Sequence, residues 1–334
     1  MARTTTAGPS PQTPIVGRQP ERIRLGVSAC LLGESVRYDG GHKRDSFLTD
    51  VLGSHVEWVP VCPEVEIGLS VPRPTLRLAG RPESPRLVQE ATGEDLTSRM
   101  RGYAEERVRE LERLDLDGYV LKRASPSCGL FRVRVYRDNG LPSADGQGLF
   151  AAALTARLPM LPVEEEGRLS DPGIRESFIE RVFAMGRWRA FLSSQPRPRD
   201  LVAFHATQKL AVLAHSPAHY ARLGRLVAAA GRAFTRDRVA EYGRLLMEGL
   251  TVRATRGRHA NVLQHLAGYF KRDLGPDERA ELVELIDSYR RGLVPLIVPV
   301  TLVRHHVRRL GVTYLAEQVY LNPHPRELML RNHV

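Results

Sequence analysis

Three thiols and one carboxylate are the side chains of this sequence whose types and positions could do chemistry together. The chain has only three cysteines, and each follows an expected β-strand: Cys30 after Arg24 to Ser28, Cys62 after Val59-Pro60-Val61, Cys128 shortly after Tyr119 to Lys122. In an open α/β sheet, ligands bind in the crevice beyond the carboxyl ends of the strands, so three strands can carry three thiols to one point. The intervals of 32 and 66 residues contain no Cys-x-x-Cys or His-x-x-x-His pair, the local signature of a closed structural zinc site. An iron–sulfur cubane is normally held by four thiolates, and three would leave one iron without a protein ligand, free to act as a Lewis acid. Two other uses of the same residues stay open: small buried hydrophobes, and a Cys₃His zinc site with His42 as fourth ligand. Glu64, two residues past Cys62, is close enough to the same centre to give or take a proton.

The elements that must position these groups alternate strand and helix signals. Strand Arg22 to Ser28 leads to a turn at Gly33, and a short helix from Ser46 to Leu52 stops at Gly53 before strand Val56 to Val61. Thr75 to Leu78 and Arg86 to Gln89 flank a Gly/Pro/Ser turn and predict a hairpin. Thr92 predicts the cap of a helix through Leu96, Met100, Tyr103, Val108, Leu111 and Leu114. Strands Tyr119 to Lys122 and Val133 to Tyr136, a turn at Asp138-Asn139-Gly140 and a helix from Gly148 to Leu158 complete an α/β unit, closed by Pro159 to Glu166. A helix from Asp171 to Leu192 has Pro172 at its first position, and Pro196 to Arg199 breaks it. From Asp200 on the pattern is helical, with breaks expected at Ser216-Pro217, Gly231, Arg256-Gly257, Gly275-Pro276 and Asn322-Pro323.

The reading is therefore an open, mostly parallel, Rossmann-like α/β domain followed by an all-α domain. Its units are a disordered tail over 1–20, an α/β unit carrying the three cysteines over 21–163, a linker with one helix over 164–199, and a basic helical unit over 200–334. An odd, low cysteine count without a secretory signal points to the cytoplasm, where thiolates are available as ligands. The net charge of +11 divides unevenly: residues 1–165 hold 22 Lys+Arg against 22 Asp+Glu, and residues 166–334 hold 27 against 16. The densest basic stretch, Arg253, Arg256, Arg258, His259, Asn261, Gln264, His265, Tyr269 and Lys271, suits phosphate contacts from RNA or another anionic partner, or a solvated face. His205 with Lys209, one turn apart, reads as a helix contact, and the Ser216-Pro217 helix start puts His215 and His219 on different faces, so no second metal is expected.

Five blocks carry a family resemblance: Val27 to Gly33, Val36 to Lys43, Val61 to Val65, Gly68 to Arg73 and Ser125 to Gly129. Together they resemble the thiouracil desulfidase (TudS) family over roughly residues 22–160. The resemblance implies a 4Fe-4S cluster on Cys30, Cys62 and Cys128 with one iron not ligated by protein, Glu64 as acid/base, and Ser125 assisting it. Arg37, Lys43 and Ser127 are its substrate-binding candidates. Past residue 200, Phe204-His205, Lys209, His215-Ser216-Pro217, Tyr220, His259 to His265 and Tyr320 to Pro323 resemble the YbgA-type domain of unknown function. The expected activity is non-redox, hydrolytic desulfuration of a thiolated pyrimidine, thiouracil or a thiouridine nucleotide, with release of hydrogen sulfide. The rival readings are a nucleic-acid-binding or repair-associated protein with a structural cluster, and the zinc protein above.

Overall fold

A computed structural model describes residues 22–137, 141–231 and 234–334. The expected N-terminal tail and the Asp138-Asn139-Gly140 turn lie outside the described residues.

Four strands form a fully parallel sheet in the order β2 (Glu57–Val61), β1 (Arg24–Ser28), β5 (Gly118–Leu121), β8 (Val163–Glu165). Its inner strands, β1 and β5, read as apolar runs because both faces are covered. One face packs α2 (Thr97–Arg113) and α3 (Leu149–Arg157) through Val61, Val108, Leu111, Tyr119, Leu121, Phe150 and Leu154. The other packs α4 (Pro172–Ser193) through Leu25, Val27, Val120, Phe178, Ile179, Val182 and Phe183, and Leu328 and Leu330 from the chain's far end join that core. Gly26 has no substitute here, since a Cβ would sit 2.1 Å from the ring of Tyr119.

A second sheet, in the order β4-β3-β6-β7, flanks the first. The expected hairpin is β3 (Leu76–Ala79) with β4 (Arg86–Gln89), antiparallel in register Leu78 to Leu87. Strand β6 (Val133–Tyr136) pairs parallel to β3, and β7 (Pro142–Gly146) pairs antiparallel to β6. Helix α2 begins at Thr97, not at Thr92: the chain first extends along β4, Leu96 N donating to Leu87 O at 2.8 Å, and Asp95 Oδ1 accepts from Thr97 N. The Glu-rich segment expected only to close the unit contains β8.

The helical half runs α5 (Pro198–His215), α6 (Pro217–Ala229), α7 (Arg236–Thr251), α8 (Arg256–Gly268), α9 (Pro276–Arg291), α10 (Ile297–Leu310) and a single turn, α11 (Thr313–Ala316). The break expected at Arg256-Gly257 falls just before it, over 252–255, where Thr255 caps α8 by accepting from Arg258 N. Two further ends fall at Gly292 and Gly311, whose φ of +81° and +65° close the helices in the left-handed conformation that glycine favours. Three of the motif histidines of this half are buried ties. His205 meets Tyr242 Oη at 3.2 Å, His259 meets Tyr320 Oη at 3.1 Å, and His215 lies between Glu180 and the Val252 carbonyl. His219 sits on the next helix, its Nδ1 2.8 Å from Ser216 Oγ.

Candidate active site

Cys30, Cys62 and Cys128 line one cavity of about 360 Å³ at the carboxyl ends of β2, β1 and β5, three adjacent strands. Cys30 leaves β1 in a single 3₁₀ turn closed by Gly33 at φ +98°, and its carbonyl accepts from Lys43 N at 2.9 Å. Cys62 caps the one-turn helix α1 (Pro63–Glu66). Its N–H donates to Glu66 Oε1 at 2.9 Å, and Tyr103 Oη anchors Glu66 from α2 at 2.6 Å. Cys128 sits in the loop after β5, held from two directions. Gly148 N, Leu149 N, Phe150 N and Ala151 N at the start of α3 donate to carbonyls of residues 126–129, and Glu165 Oε1 on β8 accepts from Leu130 N and Phe131 N. Glu166 does the same for the strand end, accepting from Lys122 Nζ and Arg123 N.

Burial and the neighbouring Cys62 push the Cys30 thiol up to about 11, against the pull of Lys122 and Arg37. Burial also raises Cys62, and raises Cys128 well above the ordinary thiol range although Ser28 bonds it. Thiols held protonated in this way are poor free nucleophiles, and they become thiolates only opposite a positive group bound among them. Among the described residues, no three His, Cys, Asp or Glu side chains come together to hold a single ion. His42 lies outside the cavity, its Nδ1 accepting from Arg44 N, so the structure does not bring it to the thiols as a fourth ligand. Three thiols on one cavity are a donor set that a multi-atom iron–sulfur group would use.

Glu64 lines the cavity with its side chain 15 % exposed. Its Oε1 accepts from Ser127 Oγ at 3.0 Å, and its Oε2 accepts from Arg73 Nη2 at 2.7 Å and Nε at 3.1 Å. Ser125 lines the same cavity, and its Oγ accepts from Ser127 N at 3.2 Å and Cys128 N at 3.1 Å. A hydroxyl has two lone pairs and one proton, so the group left free at Ser125 is its donor. Of the other candidates, Arg37 and Lys43 line the cavity, Arg37 stacking 5.3 Å from the Tyr38 ring and Lys43 exposed at the rim. Ser127 is fully buried behind the lining, with its hydroxyl on Glu64. Arg73 belongs to the site and was not singled out from sequence, although it ends one of the five blocks. Its contact with Glu64 is tertiary, and no local spacing announces it.

The basic stretch in the helical half does not form one face. His259 is buried and Arg258 turns inward to the His215 carbonyl at 2.6 Å, while Arg253, Arg256, Asn261, Gln264 and His265 are exposed. No helix among the described residues is long and apolar enough to cross a membrane.

Residues 25–166 match the family model described as 2-thiouracil desulfurase, and residues 209–325 match that of a protein of unknown function, DUF1722. The uncharacterized protein YbgA of Escherichia coli strain K12 is 32% identical over 158 residues, 47% of this chain and 94% of YbgA. The uncharacterized protein YbbK of Bacillus subtilis strain 168 is 30% identical over 108 residues, 31% of this chain and 71% of YbbK. A solved structure of the 4Fe-4S-dependent thiouracil desulfidase TudS is 35% identical and covers 45% of this chain and 95% of that one, with a TM-score of 0.37. The chain thus belongs to the 2-thiouracil desulfurase family through its α/β half, joined to a YbgA-type DUF1722 half.

Proposed function

We propose that this chain removes sulfur from a thiolated pyrimidine by hydrolysis, giving the oxo compound and hydrogen sulfide. The observation that carries the reading is the convergence of three thiols, two buried and one half-buried, from three strand ends with Glu64 and Ser125 on one cavity. Cys30, Cys62 and Cys128 would hold a 4Fe-4S cluster, which supplies an iron without a protein ligand as Lewis acid for the thiocarbonyl sulfur. Glu64 takes a proton from the water that attacks the thiocarbonyl carbon and returns it to the departing sulfur. Ser125 donates its free proton as a hydrogen bond to the atom on which negative charge develops. Thiocarbonyl and water become carbonyl and hydrogen sulfide, so the balance requires no electron donor.

A larger cavity of about 710 Å³ shares Arg123 and Ala124 with the thiol cavity and is also lined by Arg132 and Arg168. Arg123 and Arg132 there would give the phosphate of a nucleotide its contacts, with the base among the thiols, while Arg168 is paired with Glu164. An anionic partner of the helical half would find Arg222, Arg225 and Arg238 lining one groove between α6 and α7, together with Glu241.

The test is anaerobic purification with iron and sulfide analysis, then incubation with thiouracil and its nucleotide in the absence of reductant. Uracil and sulfide should appear in equal amounts from protein carrying about four irons per chain, the content of a cubane. Turnover by iron-free protein, or a zinc-loaded protein with full activity, would sink the reading.

A further inference from the structure

We propose that Arg73 is a positioning residue: it fixes the Glu64 carboxylate for proton transfer and ties it to the loop lying against Cys62. The inference rests on the functional reading above and deepens it. Arg73 comes from the loop between α1 and β3, and its side chain is 3 % exposed. All three guanidinium nitrogens are in use. Nε and Nη2 reach Glu64 Oε2 at 3.1 and 2.7 Å, while Nη1 reaches the Val36 carbonyl at 3.0 Å and the Ser70 carbonyl at 3.4 Å. Its own N–H donates to the Tyr38 carbonyl at 2.8 Å, so the residue is also pinned through its backbone. The Val36 carbonyl is in turn 3.8 Å from Cys62 Sγ.

Glu64 is therefore gripped by both oxygens from two separate loops, Arg73 on Oε2 and Ser127 on Oε1. A carboxylate held in this way cannot turn about its terminal torsion without losing at least one partner. Its remaining lone pairs keep a constant bearing on the cavity, which is what a group moving a proton to and from one water needs. The planar fork matters as much as the charge. A lysine ammonium could satisfy Glu64 or the Val36 carbonyl, but it lacks the rigid spread of donors that satisfies both.

The test is a double-mutant cycle on the cluster-loaded protein with Arg73→Lys, Glu64→Gln and the double variant. R73K should keep the iron, sulfide and visible spectrum of the parent and a KM within about threefold, while kcat falls by roughly 10–100-fold, the scale of an ångström-size misplacement. The double variant should turn over no more slowly than E64Q alone, because Arg73 acts through a carboxylate already gone. Losses that multiply, a parental kcat in R73K, or an effect confined to KM would each overturn the assignment, the last by making Arg73 a substrate contact. If R73K loads poorly, Ser127→Ala, which removes the other grip, goes through the same cycle with the same criteria. Thermal midpoints of the cluster-free variants are read in parallel: R73K and E64Q couple if the tie exists and add if it does not. A loaded parent that leaves thiouracil intact overturns the functional reading and the catalytic part of this one, whereas additive midpoints overturn the tie alone.

Discussion

Glu64 and Ser125 have complementary restrictions: the carboxylate is fixed in place and can exchange a proton, whereas the hydroxyl has spent its lone pairs and can only donate. Glu64→Gln should therefore lose roughly 10²–10⁴ in kcat with iron content unchanged, the usual worth of a positioned acid/base. Each of Cys30→Ser, Cys62→Ser and Cys128→Ser should fail in iron loading, read as iron per chain after anaerobic reconstitution. Four irons retained on any one of them would remove that residue from the ligand set. The candidate thiols and Glu64 were legible because a strand-end position is a local property of sequence. The grip on Glu64 was not, because Arg73 and Ser127 are 9 and 63 residues away and meet it only in the folded chain.

At the scale of elements, the cavity depends on turns that leave no room for a side chain. A Cβ on Gly148 would lie 2.5 Å from the Ser127 carbonyl oxygen and 2.9 Å from Cys128 N, backbone atoms that cannot swing aside. Gly148→Ala should lower stability by about 1–3 kcal/mol, the cost of forcing extra volume into a packed site, and should reduce iron loading at a given temperature. Denaturant melts with parallel iron analysis check it, and a parental midpoint with full loading would show the loop to be more pliant than its hydrogen bonds imply. Sequence made most of these elements legible. Pro172 behind Asp171 starts α4, the apolar runs are the inner strands of the parallel sheet, and the hairpin of β3 and β4 falls on its alternating segments. Strand β8 was hidden because three consecutive glutamates do not look like an inner segment. Their charge is answered by partners from elsewhere, Glu164 by Arg168, Glu165 by two loop amides and Glu166 by Lys122.

Across the whole molecule, α4 serves both halves. Phe178, Ile179, Val182 and Phe183 cover the parallel sheet, while Ala184, Met185, Trp188 and Phe191 belong to the core of α5, α6 and α7. A chain ending at Val163 would expose Leu25, Val27 and Val120, so it should bind a hydrophobic dye and load iron poorly where the full chain does neither.

The same helix carries a buried charge cluster that knots the halves together: Glu180 meets His215 at 3.2 Å, and Glu176 meets Arg331 Nε at 3.0 Å. Burial works against the charge on Glu180, but His215 and Arg331 hold it well below the carboxylate range. Burial likewise opposes the His215 charge, yet Glu180 raises it above the ordinary imidazole value. The two groups therefore stabilise the fold over a bounded pH window. The depressed Glu180 contributes above its ordinary value of 4.5 and loses that contribution as pH falls, while the raised His215 contributes fully below its ordinary value of 6.5 and loses it as pH rises through the folded value. Glu180→Gln leaves the imidazolium without its partner, a break that costs about 3–5 kcal/mol for a buried pair. The gap in unfolding free energy between parent and E180Q should be widest between about pH 4.5 and 6.5 and should narrow toward pH 9, as the parent's own imidazolium discharges. Denaturant titrations of both proteins at pH 5, 7 and 9 measure it, and a gap that stays constant across that range would mean the pair is not ionic.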